Sequence, residues 1–109
     1  MFDNITSAAV FTVYEKLKDN YPVFMTSTRA LNETMDAGFS IDCPILVGRA
    51  HGQIIWLYAY EDMFILDVLD EAQTKGTHWH PNDVDAAVED IAEFMEGKSD
   101  YELYPFRQA

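Results

Sequence analysis

The sequence predicts a single α+β domain in which three antiparallel strands form a meander and a helix from each end of the chain packs on the same face of the sheet. Three observations support this fold class. Apolar residues recur at helical spacing near both ends, a central stretch has the composition of strands, and 109 residues suffice for one core but leave little room for a second. The predicted order of elements is therefore helix, strand, strand, strand, helix.

Two helices are the clearest predicted elements. The first covers residues 5–19 and the last covers residues 82–96, because each carries an apolar stripe at three- and four-residue spacing. Asn82 is the predicted N-cap of the last helix, and Gly97 is the glycine that ends it. The stripes consist of Val10, Val13, Tyr14 and Leu17 in the first helix and of Val84, Val88, Ile91 and Met95 in the last.

The segment after the first helix allows two interpretations. The apolar run 23–25 is typical of a short strand. Ser27, with Leu31 and Met35 following at four-residue spacing, is instead typical of a short capped helix near residues 27–37. We favour the short helix as an extra element.

The middle of the chain carries the strand pattern. Three runs, 45–47, 54–60 and 63–69, are rich in β-branched and aromatic residues, and the pair Glu61-Asp62 separates the last two. A loop longer than two residues is the alternative there, because Glu-Asp is not a pair of the Asn-Gly type. With a two-residue turn, one face of the sheet is wholly apolar and is the predicted core. The other face carries Ile54, Trp56, Tyr58 and Tyr60 opposite Leu69, Asp67, Ile65 and Met63.

The aromatic tail after the last helix, residues 98–109, is predicted to be ordered. It contains too many aromatic residues for a passive solvated end, and the aromatic face of the sheet is the expected place for it to pack. With this tail included, the single domain spans residues 1–109.

The net charge of −12 limits the classes of partner. Thirteen acidic and three basic residues follow residue 60, against six acidic and four basic residues before it. Phosphate backbones and anionic lipid surfaces repel such a chain, so we expect neither a nucleic acid nor a membrane partner. The charge instead favours a basic protein partner.

Cysteine usage and hydropathy suggest where the protein resides. Cys43 is the only cysteine, so no intrachain disulfide can form, which is typical of a reducing cytosol. The first residues lack the pattern of a secretory signal, and acidic residues interrupt the longest apolar stretch, 54–69. We therefore expect a cytoplasmic protein without a membrane segment.

These features together predict a non-enzymatic binding protein whose acidic second half meets a basic partner. Small acidic proteins that neutralise basic nuclease toxins, as immunity proteins do, have this general composition. The alternative is that the aromatic sheet face meets the protein's own tail or a second copy in a homodimer. The predicted anchors are Trp56, Tyr58, Tyr60 and Trp79, and the predicted steering charges are Glu89, Asp90, Glu93 and Glu96.

A pair of histidines suggests an alternative function. His78 and His80 stand two residues apart on an extended segment, so their side chains point to the same side and can share a metal ion. His51 is the candidate third ligand. This interpretation predicts zinc or another divalent transition metal in a metal-binding protein or hydrolase. The competing interpretation is that both histidines are loop residues beside a core Trp79, with no cofactor.

The strongest local signatures of enzymes are absent from the sequence. It contains no glycine-rich phosphate loop, no Gly-x-Ser-x-Gly elbow and no Cys-x-x-Cys pair. Cys43 would need a histidine as its base to act as a nucleophile, and its place before Pro44 at the start of an apolar strand is typical of a small buried residue. Enzyme activity is therefore unsupported by the sequence.

Overall fold

The computed structural model describes residues 5–106. These residues form three helices and one six-stranded sheet. The helices are α1 (Ser7–Leu17), α2 (Thr28–Met35) and α3 (Val84–Met95). The strands are β1 (Phe24–Ser27), β2 (Pro44–Ala50), β3 (Gln53–Tyr60), β4 (Met63–Asp70), β5 (Lys75–Trp79) and β6 (Tyr104–Pro105). The strands lie in the sheet in chain order, and all neighbours are antiparallel.

The prediction of three strands is wrong, because three further strands flank the predicted meander. β1 runs directly into α2, so the segment after α1 holds both the strand and the short helix that were alternatives. β5 reads Lys-Gly-Thr-His-Trp, which lacks an alternating apolar pattern, and β6 has only two residues. Both of these strands depend on hydrogen bonds to a neighbouring strand rather than on a pattern of their own.

The two long helices confirm the predicted elements, with one correction at a cap. Asp83, not Asn82, is the N-cap of α3, and its Oδ1 accepts a hydrogen bond from the backbone N–H of Ala86 at 2.8 Å. Ser27 caps α2 in the same way, as predicted. Gly97 follows α3 with a φ of 73°, the left-handed conformation that glycine tolerates. Within residues 5–106, no helix combines the length and the apolar character that crossing a bilayer requires.

The central hairpin has the register that a two-residue turn predicts. Tyr60 pairs with Met63, and the other pairs of β3 and β4 follow in step. Glu61 and Asp62 have φ values of 51° and 63°, and positive φ at both central residues is what the favoured hairpin turn requires. The longer loop that the Glu-Asp pair suggested does not form.

The larger core lies on the side of the sheet that α1 and α3 cover, which we call the helical face. Both long helices pack on the apolar side of the sheet, as predicted. The buried stripe of α3 is Ala87, Ile91 and Phe94, so the predicted stripe shares only Ile91 with it. The core residues from the sheet are Leu46, Ile55, Leu57, Phe64, Leu66 and Val68, and those from α1 are Val10, Val13 and Leu17.

The opposite side of the sheet, which we call the aromatic face, is covered by α2 and the segment 36–43. Leu31 of α2 is buried in the smaller core there. The ring of Phe39 lies 5.2 Å from the ring of Trp56 and 5.4 Å from that of Tyr58, centroid to centroid. The prediction that the C-terminal tail covers this face holds only at the edge formed by β5, where the ring of Phe106 lies over Gly76, because a segment earlier in the chain already covers Trp56 and Tyr58.

The tail instead runs along the outer edge of β5. Tyr104 pairs with Gly76, which makes the tail the last strand of the sheet. Tyr101 lies on the helical face, where its ring centroid is 5.8 Å from that of Trp79 and its hydroxyl donates a hydrogen bond to Gln53 Oε1 at 2.7 Å. The last three residues of the predicted tail lie outside the described range.

Candidate functional site

Acidic side chains line the outer surface of α3. They are Asp85, Glu89, Glu93 and Glu96, and we call them the acidic stripe. Spacings of four, four and three residues place them along one side of the helix. Lys98 Nζ lies 3.8 Å from Glu96 Oε2, and no other ion pair within residues 5–106 involves the stripe. Three of the four predicted steering charges therefore share one surface.

Asp90, the fourth predicted steering charge, lies with the predicted anchor Trp79 in a cleft beside the acidic stripe. Trp79 Nε1 donates a hydrogen bond to Asp90 Oδ2 at 2.8 Å. The cleft has a volume of about 220 Å³, and we call it the Trp79 cleft. Its lining residues are Trp79, Asp90, Glu93, Ser99, Asp100 and Tyr101. Glu93 belongs to both the stripe and the cleft, so the two features form one continuous surface.

The other three predicted anchors lie on the aromatic face, on the far side of the sheet from the acidic stripe. Trp56 is only 4% exposed, so it does not serve as a surface anchor. Tyr58 is half-buried, and this burial raises the pKa of its hydroxyl to about 12. Tyr60 alone of the three is exposed, at 44%, and it lies beside the exposed Met63.

Asp67 is a charged side chain placed among the aromatic residues of this face. Its Oδ2 accepts a hydrogen bond from Trp56 Nε1 at 2.7 Å, and His78 is its partner across β4 and β5. Burial raises the pKa of Asp67, while the Trp56 hydrogen bond and the nearby imidazoles of His78 and His80 act in the opposite direction. The hairpin register predicted from the sequence places Asp67 opposite Trp56, which the structure confirms, and the structure adds the hydrogen bond between them.

The three histidines do not converge. The ring centroids of His78 and His80 are 5.8 Å apart, and His80 Nδ1 lies 3.0 Å from the carbonyl oxygen of Phe64. His51 lies elsewhere, in the turn between β2 and β3, where its Nε2 is 3.3 Å from the carbonyl oxygen of Met95. His51 therefore does not join the other two histidines as a third ligand, because the β2–β3 turn packs against the end of α3. Across residues 5–106, no three histidine, cysteine or acidic side chains are grouped so that they could hold a metal ion.

Cys43 has the environment of a structural residue. It is half-buried, and burial raises the pKa of its thiol, which disfavours the reactive thiolate. Its backbone N–H donates a hydrogen bond to Thr28 Oγ1 at 2.9 Å, and Thr28 Oγ1 in turn donates to the carbonyl oxygen of Ile41 at 2.6 Å. The cysteine thus lies in the loop that Thr28 holds against the start of β2.

Comparison with known proteins adds no assignment to this geometry. No protein-family model, no curated protein and no solved structure matches the chain.

Proposed function

We propose that this chain is a non-enzymatic binding protein that captures a basic protein on the acidic stripe and the Trp79 cleft. The observation that carries the proposal is the meeting of Trp79 and Asp90 in one cleft that opens beside Glu93. An aromatic ring next to carboxylates is suited to an arginine or lysine side chain, through cation–π contact and charge-assisted hydrogen bonds.

The unfavourable placement of the acidic stripe supports a role in recognition. Like charges four residues apart on a helix destabilise it by roughly 0.2–0.5 kcal/mol per pair. Glu93 and Glu96 also lie at the C-terminal end of α3, where the helix dipole favours cations, and the last turn contains no basic residue. A basic partner would remove both penalties when it binds.

The same surface fits the mode of action expected of an immunity-like protein. A protein that neutralises a basic toxin needs rapid association, and clustered charge accelerates the encounter of oppositely charged surfaces. Ten of the twelve net negative charges follow residue 60, on the half of the chain that contains α3 and the tail. This half would steer the partner towards the Trp79 cleft, where short-range contacts would hold it.

The experiment compares three immobilised forms of the full chain. They are the wild type, a stripe variant carrying Glu89→Lys, Glu93→Lys and Glu96→Lys, and a control variant carrying Asp19→Lys, Asp42→Lys and Glu71→Lys. The control changes the net charge by the same amount at exposed acids outside α3. Each form is exposed to lysate of the source cells, and retained proteins are identified by mass spectrometry.

We expect a basic protein that the wild type and the control retain and the stripe variant loses. With that protein purified, the association rate of the stripe variant should fall at least about tenfold at low salt, and the difference should shrink at high salt. If both variants lost the protein equally, net charge alone would explain the effect. Equal retention by all three forms would contradict the proposal.

A further inference from the structure

A second pocket lies on the aromatic face, away from the acidic stripe. It has a volume of about 340 Å³ and opens between β4, β5 and β6. This volume lies in the range of small-molecule sites. Its lining residues are Asp67, Val68, Leu69, Gly76, Thr77, His78, Tyr104, Pro105 and Phe106. We call it the Asp67 pocket.

The carboxylate of Asp67 is only partly used by the protein itself. Trp56 Nε1 binds Oδ2, whereas Oδ1 has no hydrogen-bond donor among residues 5–106. Every fully buried side-chain nitrogen or oxygen in that range has a hydrogen-bond partner. Because Oδ1 has none, it is in contact with solvent. A negatively charged oxygen therefore remains available at the wall of an otherwise largely apolar pocket.

Aromatic rings from the tail form the opposite side of the Asp67 pocket. Tyr104 and Phe106 are 59% and 46% exposed, and as alternate residues of an extended segment they project to the same side. Gly76 lies beneath them. A Cβ at this position would be 2.8 Å from the carbonyl oxygen of Val68 and 3.1 Å from the ring of Phe106, so the absence of a side chain lets the ring approach the sheet.

The geometry points to a small organic cation as the ligand of the Asp67 pocket, with Asp67 as its counter-ion and Tyr104 and Phe106 as its aromatic wall. Carboxylates and aromatic faces are the groups that proteins use to bind ammonium ions. The net charge of −12 and the carboxylate in the wall both disfavour an anionic ligand. This site is separate from the proposed partner surface, since the sheet lies between them.

The two tryptophans provide separate reporters for the two faces. Trp56 and Trp79 are the only tryptophans of the chain, and each indole N–H binds a carboxylate, that of Asp67 or that of Asp90. In ¹⁵N–¹H correlation spectra of the full chain, added benzylamine should shift the Trp56 indole signal to saturation. Benzyl alcohol, which has the same shape without the charge, should leave it unmoved.

Matched variants test the assigned groups. Asp67→Asn keeps an acceptor for Trp56 but removes the charge, and it should weaken benzylamine binding about tenfold. Phe106→Ala, at an exposed position, should weaken it several-fold. Asp90→Asn makes the same change beside the other tryptophan and should leave the Trp56 titration unchanged.

Three results would overturn the inference: no shift of the Trp56 signal, equal shifts with benzylamine and benzyl alcohol, or full binding by Asp67→Asn. A lysine whose amino and carboxyl ends are both blocked as amides mimics the lysine side chain of a partner protein, so its binding can be compared with that of the small amine. Weaker binding of this amide than of benzylamine supports the small-molecule ligand, and tighter binding would overturn it. A Trp79 signal that moves alone would contradict the Asp67 pocket and leave the proposed partner surface standing.

Discussion

Two tryptophan–carboxylate pairs show how a single residue acquires its role from its surroundings. Trp56 with Asp67 and Trp79 with Asp90 form hydrogen bonds of 2.7 and 2.8 Å on opposite faces of the sheet. The first tryptophan is almost fully buried, and the second lies in an open cleft. Composition alone cannot distinguish these environments, because each tryptophan is an aromatic residue near an acid in a chain rich in aromatic and acidic residues.

Asp67 and Asp70, on the same strand, should affect stability in opposite ways as pH changes. Burial raises the pKa of Asp67, whereas hydrogen bonds from Thr74 and from the backbone N–H of Lys75 lower the pKa of Asp70. Between its unfolded and folded pKa values, Asp67 binds more protons in the folded state, so stability falls as pH rises through that window. Asp70 contributes stability above its unfolded pKa, and this is lost as pH falls through its lowered pKa.

We therefore expect Asp67→Asn to gain thermal stability relative to the wild type at neutral pH, with the difference vanishing in acid. Asp70→Asn should lose stability at neutral pH and approach the wild type in acid. Thermal melts of the three proteins between acidic and neutral pH check both signs. A destabilised Asp67→Asn at neutral pH would show that the Trp56 hydrogen bond outweighs burial.

At the scale of elements, the hairpin between β3 and β4 forms despite an unfavourable turn sequence. Glu61 and Asp62 both adopt positive φ, a conformation that non-glycine residues generally avoid. The register of the flanking strands is nevertheless the one expected from their alternating side chains. Strand pairing and the two cores therefore determine this turn, rather than its local sequence.

Replacing the turn by Glu61→Asn and Asp62→Gly should stabilise the protein by about 1 kcal/mol, because this pair favours the required conformation. Urea unfolding followed by tryptophan fluorescence measures the change. The control, Glu61→Ala with Asp62→Ala, removes the same charges without relieving the backbone. Equal stabilisation of both variants would indicate charge repulsion as the cause.

The acidic stripe of α3 makes a second prediction at this scale. Glu89→Lys places a cation four residues from both Asp85 and Glu93, which replaces two repulsive pairs by two attractive ones. We expect a gain of roughly 0.5–1.5 kcal/mol at low salt and a smaller gain at high salt. Glu89→Gln should give about half of this gain. An unchanged melting temperature for both variants would show that α3 does not bear the expected electrostatic penalty.

At the scale of the whole molecule, the chain closes its sheet with its own C-terminal segment. Two ladder pairs join β6 to Lys75 and Gly76, and Tyr101 packs against Trp79 on the helical face. The tail thereby protects part of the outer edge of β5. It also contributes to both proposed sites: Tyr101 lines the Trp79 cleft, and Tyr104 and Phe106 line the Asp67 pocket.

Truncation separates these contributions of the tail. Removing residues 104–109 should cost about 1 kcal/mol, since it deletes a short edge strand. Removing residues 100–109 should cost about 2 kcal/mol more, because the Tyr101 ring and its hydrogen bond to Gln53 are also lost. Urea unfolding of both truncated proteins gives the two free energies of unfolding. Equal losses would show that Tyr101 contributes nothing beyond the strand.

The sequence by itself determined the two long helices, the short helix, the register of the central hairpin and the acidic character of α3. Each of these follows from a periodicity or a charge pattern within one segment, and such patterns are visible without knowing what the segment contacts. The sequence also placed Asp67 opposite Trp56, and it brought Trp79 and Asp90 into one set of candidate residues.

Only the tertiary structure decided the edges of the sheet, the cover of the aromatic face and the separation of His51 from the other two histidines. β5 and β6 have no pattern of their own and exist because a neighbouring strand completes their hydrogen bonds. Phe39 packs on Trp56 and the tail packs at the edge of β5, although both segments offer aromatic side chains, so their positions depend on chain connectivity and packing. Contacts between segments distant in sequence leave no local periodicity, which is why they could not be predicted.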